Sequence, residues 1–242
     1  MKAVILCAGS GKRTGLKYPK CLYTFRDKKS LLEKNIRLLK KKKFKDSDIF
    51  IVTGFKSNLI KNKTNNKYNY IHNKNYKTTN MVYSLNLFLR KISKKSDVLI
   101  IYSDIIFDEK CLSLVIKSKK KIVTLIDSDW LKKWKLKKNY QSDLEELLIK
   151  NNKIVKLGKK TNNLKNISGR FVGITKLSQN ILKDFNNLKL LDKILSKNRK
   201  VDFTNFLMIL IQKKYTVYPL LKNLKWAEFD TIDDFKRFKK LK

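Results

Sequence analysis

Near the N-terminus an apolar run, Ala3-Val-Ile-Leu-Cys-Ala8, breaks into Gly9-Ser10-Gly11-Lys12-Arg13-Thr14-Gly15, and Pro19-Lys20 follows. Glycines let the backbone turn sharply and let an anion approach the main-chain amides, which in succession form an anion-binding concavity. Lys12 and Arg13 add positive charge to the same loop, and Lys20 follows closely enough to reach a bound phosphate. Two carboxylates complete the set. Asp104 follows the apolar run Val98-Leu-Ile-Ile-Tyr102, and Asp230 follows Trp226-Ala-Glu-Phe229. The carboxyl ends of buried strands are where open α/β sheets hold ligands, and a hard cation such as Mg²⁺ selects carboxylate oxygens. A basic glycine loop with two strand-end carboxylates is equipment for transferring a phosphate-linked group. The loop is neither of the two commoner phosphate loops, because it lacks the third glycine of the dinucleotide spacing and the Gly-Lys-Ser/Thr of a P-loop.

These residues need a scaffold, and the hydrophobic pattern supplies one. Residues 3–6, 48–53, 68–71, 98–102 and 122–126 read as strands. Between them, 30–40, 56–61, 80–92 and 109–116 read as helices; Leu31, Leu32, Ile36 and Leu39 recur at helical spacing, and Asn80 stands as a helix N-cap. Apolar strands alternating with helices predict an α/β protein with a doubly wound, mostly parallel sheet. After Asp127 the rhythm loosens, with strands expected at 154–157, 169–175, 215–220 and 226–229 and helices at 177–185, 204–213 and 232–238. No internal repeat or Pro/Ser/Gly-rich linker is present, and Pro19 and Pro219 are the only prolines. A single domain spanning 1–242, with halves 1–126 and 127–242, is the simplest account.

The formal net charge of +38 raises the question of nucleic acid. Arginine is scarce, however: Arg13, Arg26, Arg37, Arg90, Arg170, Arg199 and Arg237 are the full set, and lysine is spread along the whole chain. Runs such as Lys40–Lys43 read as solvated helix ends, and net charge speaks to solubility rather than to fold. No nucleic-acid partner is expected. No apolar stretch approaches the ~18 residues of a spanning helix, and the first run reads as a buried strand, so the expectation is a cytoplasmic protein without membrane contact. Cys7, Cys21 and Cys111 form no CxxC pair, which argues against a zinc site or disulfide framework.

Leu6, Ala8, Gly9, Gly11 and Arg13, followed by Pro19-Lys20, resemble the Leu-x-Ala-Gly-x-Gly-x-Arg…Pro-Lys signature of the nucleotidyltransferases that make activated sugars and alcohols. Further segments resemble one branch, the phosphocholine cytidylyltransferase type. They are Thr79-Asn80-Met-Val-Tyr-Ser84-Leu, Tyr102-Ser-Asp104-Ile-Ile-Phe, Asp127-Ser-Asp129-Trp130, Ser142-Asp143-Leu-Glu145, Gly158-Lys159-Lys160 and Trp226-Ala-Glu228-Phe-Asp230-Thr. The resemblance implies a Rossmann-like nucleotidyltransferase fold with a mixed, mostly parallel sheet flanked by helices. It implies use of CTP with Mg²⁺, release of pyrophosphate and a CDP-activated product. By position, Leu6, Ala8, Gly9, Ser10, Gly11, Lys12, Arg13, Thr79, Asn80 and Ser84 would hold the nucleotide. Asp104 and Asp230 would hold the metal, with Lys20 and Arg13 neutralising charge. Tyr102, Asp129, Trp130, Glu145, Lys159, Arg170, Trp226 and Glu228 would form the acceptor side.

Departures from the pattern bear on the acceptor. Only five residues separate Arg13 from Pro19, Asn139-Tyr140-Gln141 stands where relatives have Asp-Pro, and Gly169-Arg170-Phe-Val-Gly173 replaces their Gly-Gln-Tyr-x-Gly. Arg170 either favours an acceptor with extra negative charge or is an unrelated surface change. A choline headgroup would want an aromatic cage, for which Trp130, Trp134, Tyr102 and Trp226 are available, with Asp129 or Glu145 as counter-charges. Partial core burial of Trp134 and Trp226 is the competing account. Phosphoethanolamine, 2-aminoethylphosphonate or a phosphorylated amino acid would instead need carboxylates. The rival enzyme class is a sugar-1-phosphate nucleotidyltransferase with another base; the rival non-enzyme is a lysine-rich polyanion binder, which would need neither Asp104 nor Asp230.

Overall fold

A computed structural model of the chain describes residues 1–93, 95–137 and 140–240, with side chains through Arg237; Asn139 of the Asn139-Tyr140-Gln141 segment lies outside the described residues. The first half runs β1 (Lys2–Cys7), α1 (Leu31–Lys41), β2 (Ile49–Thr53), α2 (Ser57–Lys63), β3 (Asn69–His72), α3 (Met81–Lys91), β4 (Val98–Tyr102), β5 (Ile105–Phe107), α4 (Glu109–Lys117) and β6 (Ile122–Asp127). The second half adds α5 (Trp130–Trp134), β7 (Glu145–Lys150), β8 (Lys153–Lys160), β9 (Arg170–Leu177), α6 (Gln179–Asn187), α7 (Leu190–Lys197), α8 (Phe203–Gln212), β10 (Tyr218–Lys222), β11 (Trp226–Glu228) and α9 (Ile232–Lys240).

Seven strands form one sheet in the order β10-β6-β9-β4-β1-β2-β3. All neighbours pair in parallel except β9, which runs antiparallel to β4 and β6. The sheet is therefore mixed and mostly parallel. Strands β1 and β4 are apolar from Ala3 to Cys7 and from Val98 to Tyr102 because both faces of the sheet are covered there. Along β1, Val4 and Leu6 point into one core with α3, α6, α7 and α8, while Ala3, Ile5 and Cys7 point into a second core with α1 and α4. The helix starts are chemically specified: Ser30 and Glu33 form a reciprocal capping box on α1, and Asp108 caps α4 through Cys111 N.

The structure adds elements that local pattern does not reveal. Residues 105–107 form β5, which pairs antiparallel with β11 outside the main sheet; 145–150 form β7, hairpinned with β8; and 190–197 form α7. Leu177, expected to open a helix, ends β9, because Ser178 caps α6 by accepting from Ile181 N. Strand β10 starts at Tyr218 rather than Tyr215, since Lys214 turns into the left-handed region and Tyr215 N still bonds Leu210 O to close α8. Among the described residues no helix is long and apolar enough to cross a membrane.

Candidate active site

Strands β1 and β4 are neighbours, with Leu6 opposite Tyr102, so the glycine loop after β1 and Asp104 after β4 emerge at the same carboxyl edge of the sheet. Within the loop Gly11 adopts φ 61°, in the left-handed region, and Thr14 Oγ1 donates to Gly11 O at 2.7 Å, fixing a one-turn 3₁₀ segment at Lys12–Thr14. A Cβ on Gly11 would lie 3.1 Å from Lys20 Cβ. The loop thus folds directly over Lys20, which opens a second 3₁₀ turn after Pro19.

Asp230 reaches the same point by another route. The antiparallel pairing of β11 with β5 sets Glu228 opposite Ile105, and Phe229 N donates to Asp104 O at 2.9 Å. Asp234 then accepts three hydrogen bonds on Oδ2, from Asp230 N (2.9 Å), Thr231 N (2.8 Å) and Thr231 Oγ1 (2.9 Å). That cap fixes the turn carrying Asp230. Stacking of Phe235 on Tyr23 and on Phe229 locks α9 against the chain just beyond Lys20.

The outcome is a compact charge cluster. Lys20 Nζ lies 2.7 Å from Asp104 Oδ2 and 3.2 Å from Asp230 Oδ1, and Arg13 Nη2 lies 3.0 Å from Asp230 Oδ1. Burial alone would lower the Lys20 pKa, but the two carboxylates outweigh it and hold the ammonium above its ordinary value. Burial would likewise raise Asp230, yet Lys20, Arg13 and Lys137 pull it below the usual carboxylate range. The cluster lines a cleft of about 300 Å³ together with the glycine loop, Cys21, Asn80, Met81 and Ser103. A larger hollow of about 740 Å³ lies along α7 and α8, but no carboxylate lines it, so it lacks the groups for this chemistry.

Asp104 Oδ1 is buried and accepts no hydrogen bond among the described residues. A spare carboxylate oxygen beside a second carboxylate fits Mg²⁺, which commonly takes one or two protein carboxylates and fills its remaining positions with water and substrate phosphates. No group of three or more metal-ligating side chains occurs among the described residues. Two carboxylates plus phosphate is the donor set on offer.

Of the remaining nucleotide-side residues, Leu6, Gly9, Ser10, Gly11, Lys12 and Arg13 line the cleft. Ala8 is buried just beyond β1. Asn80 also lines the cleft, although its Oδ1 caps α3 by accepting from Met81 N at 2.8 Å. Thr79 and Ser84 turn inward: Asn73 Nδ2 donates to Thr79 Oγ1 at 3.0 Å and to Ser84 Oγ at 3.1 Å. Neither side chain lines the cleft. Asn73, 1% exposed, organises this segment and was invisible among the asparagines of 62–75.

On the acceptor side the structure gathers Tyr102, Glu145, Arg170, Trp226 and Glu228. Tyr102 packs edge-on to Phe171 and Phe203, and its ring lies so close to Gly173 (φ 85°) that a Cβ there would clash at 2.7 Å. Burial pushes the Tyr102 hydroxyl well up. Arg170 Nη1 donates to Asp143 O at 2.7 Å and Nη2 to Asp143 Oδ2 at 3.2 Å; Trp134 Nε1 meets the same Oδ2 at 3.1 Å. Trp226 Nε1 donates to the fully buried Asp127 at 2.8 Å. Burial, reinforced by Asp230, pushes Glu228 up to about 8, and burial also raises Glu145 against the pull of Arg170. Asp129, Trp130 and Lys159 stand apart. Asp129 pairs with Lys132, Trp130 is buried in the core, and Lys159 is exposed on β8; no side chain of the three bonds to this group among the described residues. Asp234 and Lys137 also stand at this site, unannounced by the motifs. Asp234, three residues after Thr231, carried a capping signal; Lys137 carried none.

The chain is similar to known proteins over most of its length. The MobA-like NTP transferase domain pattern matches residues 3–154. A CTP:phosphoglutamine cytidylyltransferase of Campylobacter jejuni subsp. jejuni is 31% identical over 250 residues, covering 97% of both chains. Among solved structures, the inositol-1-phosphate CTP transferase of T. maritima superposes with a TM-score of 0.76 at 17% identity, covering 99% of this chain and 94% of that one. The CTP:phosphocholine cytidylyltransferase of Streptococcus pneumoniae superposes with a TM-score of 0.71 at 19% identity, covering 99% and 98%. These structural matches establish the fold.

Proposed function

This chain belongs to the MobA-like NTP transferase domain family, and on that premise we propose that it is a Mg²⁺-dependent cytidylyltransferase. It transfers CMP from CTP to a small phosphorylated or phosphonylated amino-compound and releases pyrophosphate. The acceptor falls within the class of phosphocholine, phosphoethanolamine, 2-aminoethylphosphonate and phosphorylated amino acids. The Campylobacter relative, named for phosphoglutamine, lies in the last group. The enzyme acts in the cytoplasm and feeds glycan, lipid or phosphonate synthesis.

The observation that carries this reading is the convergence of Lys20, Asp104 and Asp230 in the wall of the glycine-loop cleft. The loop amides and Lys12 hold the triphosphate, with Arg13 over its charge. An acceptor phosphate or phosphonate oxygen attacks the α-phosphorus; a new P–O bond forms, the α–β anhydride bond breaks, and pyrophosphate departs with the electron pair. Asp104 and Asp230 would hold Mg²⁺, which would offset charge on the triphosphate. Lys20, whose ammonium stands at the same point, would place its charge beside the α-phosphate. Little covalent work falls to the protein, so positioning and charge neutralisation provide the rate.

Pyrophosphate release tests the proposal, with CTP, UTP, GTP and dTTP each paired against the four acceptors and glucose 1-phosphate. Turnover confined to CTP and an amino-bearing acceptor, and abolished in D104A, is expected. Preference for another nucleotide with the sugar phosphate would replace this reading by the sugar-activating one. Full activity in D104A would remove the metal assignment.

A further inference from the structure

We infer that Asn73 is a positioning residue for the nucleotide: through Thr79 and Ser84 it holds Asn80 and Met81 in the wall of the cleft, aided by the main-chain carbonyls of Arg199 and Lys200. The inference rests on the cytidylyltransferase reading above. Asn80 and Met81 line the cleft, whereas Asn73, Thr79, Ser84, Arg199 and Lys200 do not. The stretch that delivers them, residues 73–80, runs between β3 and α3 and forms neither helix nor strand. Side chains fix it instead. Asn73 is buried just beyond β3, and its N–H donates to Thr53 O at 2.7 Å, which ties the stretch to the end of β2. Its Nδ2 donates to Thr79 Oγ1 at 3.0 Å and to Ser84 Oγ at 3.1 Å, and its Oδ1 accepts from Asn75 N at 3.0 Å. Both amide hydrogens and the amide oxygen are thereby engaged. Thr79 Oγ1 in turn donates to Asn75 O at 2.8 Å, closing a ring over residues 73–79.

A second set of ties comes from the other half of the chain. Asn80 N donates to Arg199 O at 3.2 Å, and Asn80 Nδ2 donates to Lys200 O at 3.3 Å. The Arg199 guanidinium lies over the Tyr83 ring, 5.1 Å from its centroid, and Tyr83 Oη accepts from Asn75 Nδ2 at 3.1 Å. Tyr76 backs the middle of the stretch: a Cβ on Gly54 would lie 2.6 Å from Ala8 O and 2.7 Å from Tyr76 Cβ. The stretch is thus pressed against the strand ends beside the glycine loop. Packing alone does not call for a buried amide at position 73. A leucine of similar volume would fill the space, but it could not bridge Thr79 to Ser84. Holding a loop in its bound form before a ligand arrives removes an ordering cost that binding would otherwise carry. Without Asn73 that cost falls on the nucleotide. It falls on affinity rather than on the chemical step, because the Lys20, Asp104 and Asp230 cluster makes no hydrogen bond with residues 73–80 among the described residues.

Asn73→Leu keeps the volume and deletes the three side-chain bonds. In N73L, KM for CTP is expected to rise ~10-fold, equivalent to ~1.4 kcal/mol, while kcat at saturating CTP and KM for the preferred acceptor stay within about twofold. Thr79→Val removes one hydroxyl and keeps the shape, so KM for CTP should rise about threefold; the double variant should do no more than N73L alone, because contacts within one network are not additive. Melting curves accompany both variants, since a merely structural amide would cost Tm and leave KM for CTP where it was. Unchanged KM for CTP in folded N73L, or equal damage to KM for CTP, KM for the acceptor and kcat, would overturn the inference. Should N73L fail to fold, T79V decides by the same split. Calorimetric titration with CTP reads the same ratio without turnover and keeps the two claims apart. Wild type that binds no CTP removes the cytidylyltransferase reading and this inference with it, whereas equal CTP affinity in wild type and folded N73L removes only this one.

Discussion

Replacing Lys20 with methionine isolates the central ion cluster, because it removes the charge and leaves an unbranched stem. Lys20 Nζ sits 2.7 and 3.2 Å from two carboxylates, and its side chain is 14% exposed. At ~3 Å and an effective dielectric of ~20, each such pair is worth roughly 5 kcal/mol before desolvation. Desolvation cancels much of that, and removing one partner of a buried pair typically costs ~3–5 kcal/mol. Arg13 remains on Asp230 but is 70% exposed, so it relieves only part of the new repulsion between Asp104 and Asp230. A loss of ~2–3 kcal/mol follows, or ~5–10 °C in Tm for a chain of this size. Millimolar Mg²⁺ without nucleotide should then raise the Tm of K20M more than that of wild type, because Lys20 no longer competes for the carboxylates. Turnover should fall ~10²–10³-fold, the usual effect of losing one group that stabilises transition-state charge. Melting curves with and without Mg²⁺, beside pyrophosphate release, measure all three. A K20M protein with wild-type Tm, wild-type Mg²⁺ response or undiminished kcat would refute the account of the cluster.

In G11A the new Cβ combines a left-handed φ with a 3.1 Å approach to Lys20 Cβ, a strain of ~1–2 kcal/mol; KM for CTP should rise several-fold with a small loss of Tm, and an unchanged KM would show that the loop does not hold the nucleotide. D234A removes the acceptor of three hydrogen bonds around Asp230, so stability should drop by ~1–2 kcal/mol and kcat should fall with it. D234N, which keeps the oxygen, should restore most of both, and equal damage from the two variants would deny Asp234 its positioning role. Cys7, Cys21 and Cys111 are all buried; burial and Asp108 push Cys111 up to about 12, and burial raises Cys7 as well. A thiol reagent near pH 8 should therefore label well under one equivalent in the native protein and three after denaturation, and rapid native labelling at Cys111 would contradict its packing.

What the sequence reveals of this site is the part specified locally. Apolar runs such as Val98–Tyr102 announce buried parallel strands, and a residue just beyond such a run must sit at the carboxyl edge, so Asp104 was legible. Gly11 announces a loop because its φ of 61° is one that other residues avoid. The pairings between distant segments were not legible in the same way. Nothing in Ile105–Phe107 says that it will leave the main sheet for β11, and yet that pairing is what carries Asp230 to Asp104. The antiparallel insertion of β9 between β4 and β6 is likewise a tertiary decision, and it delivers Arg170 to Asp143 and Glu228.

The acceptor side shows why residue type alone misleads. Three tryptophans and a tyrosine suggest a cage for a cation, since type and proximity are all that sequence offers. Packing assigns each ring a neighbour first, and Trp134 is covered by Lys137, Arg170 and Trp226. Lys137 lies among Lys132, Lys133 and Lys135 in a chain with 58 basic residues, so its type carried no information. Its burial does. Of the lysines in that segment, Lys133 spends its charge on Asp127 and on Leu224 O, and Lys132 pairs with Asp129 at the surface. Lys137 is enclosed, with Nζ 4.0 Å from the Trp134 ring centroid and 3.9 Å from Glu228 Oε2. Sequence shows one more lysine, and only the tertiary packing shows that its charge is spent on a ring and a carboxylate of the protein itself.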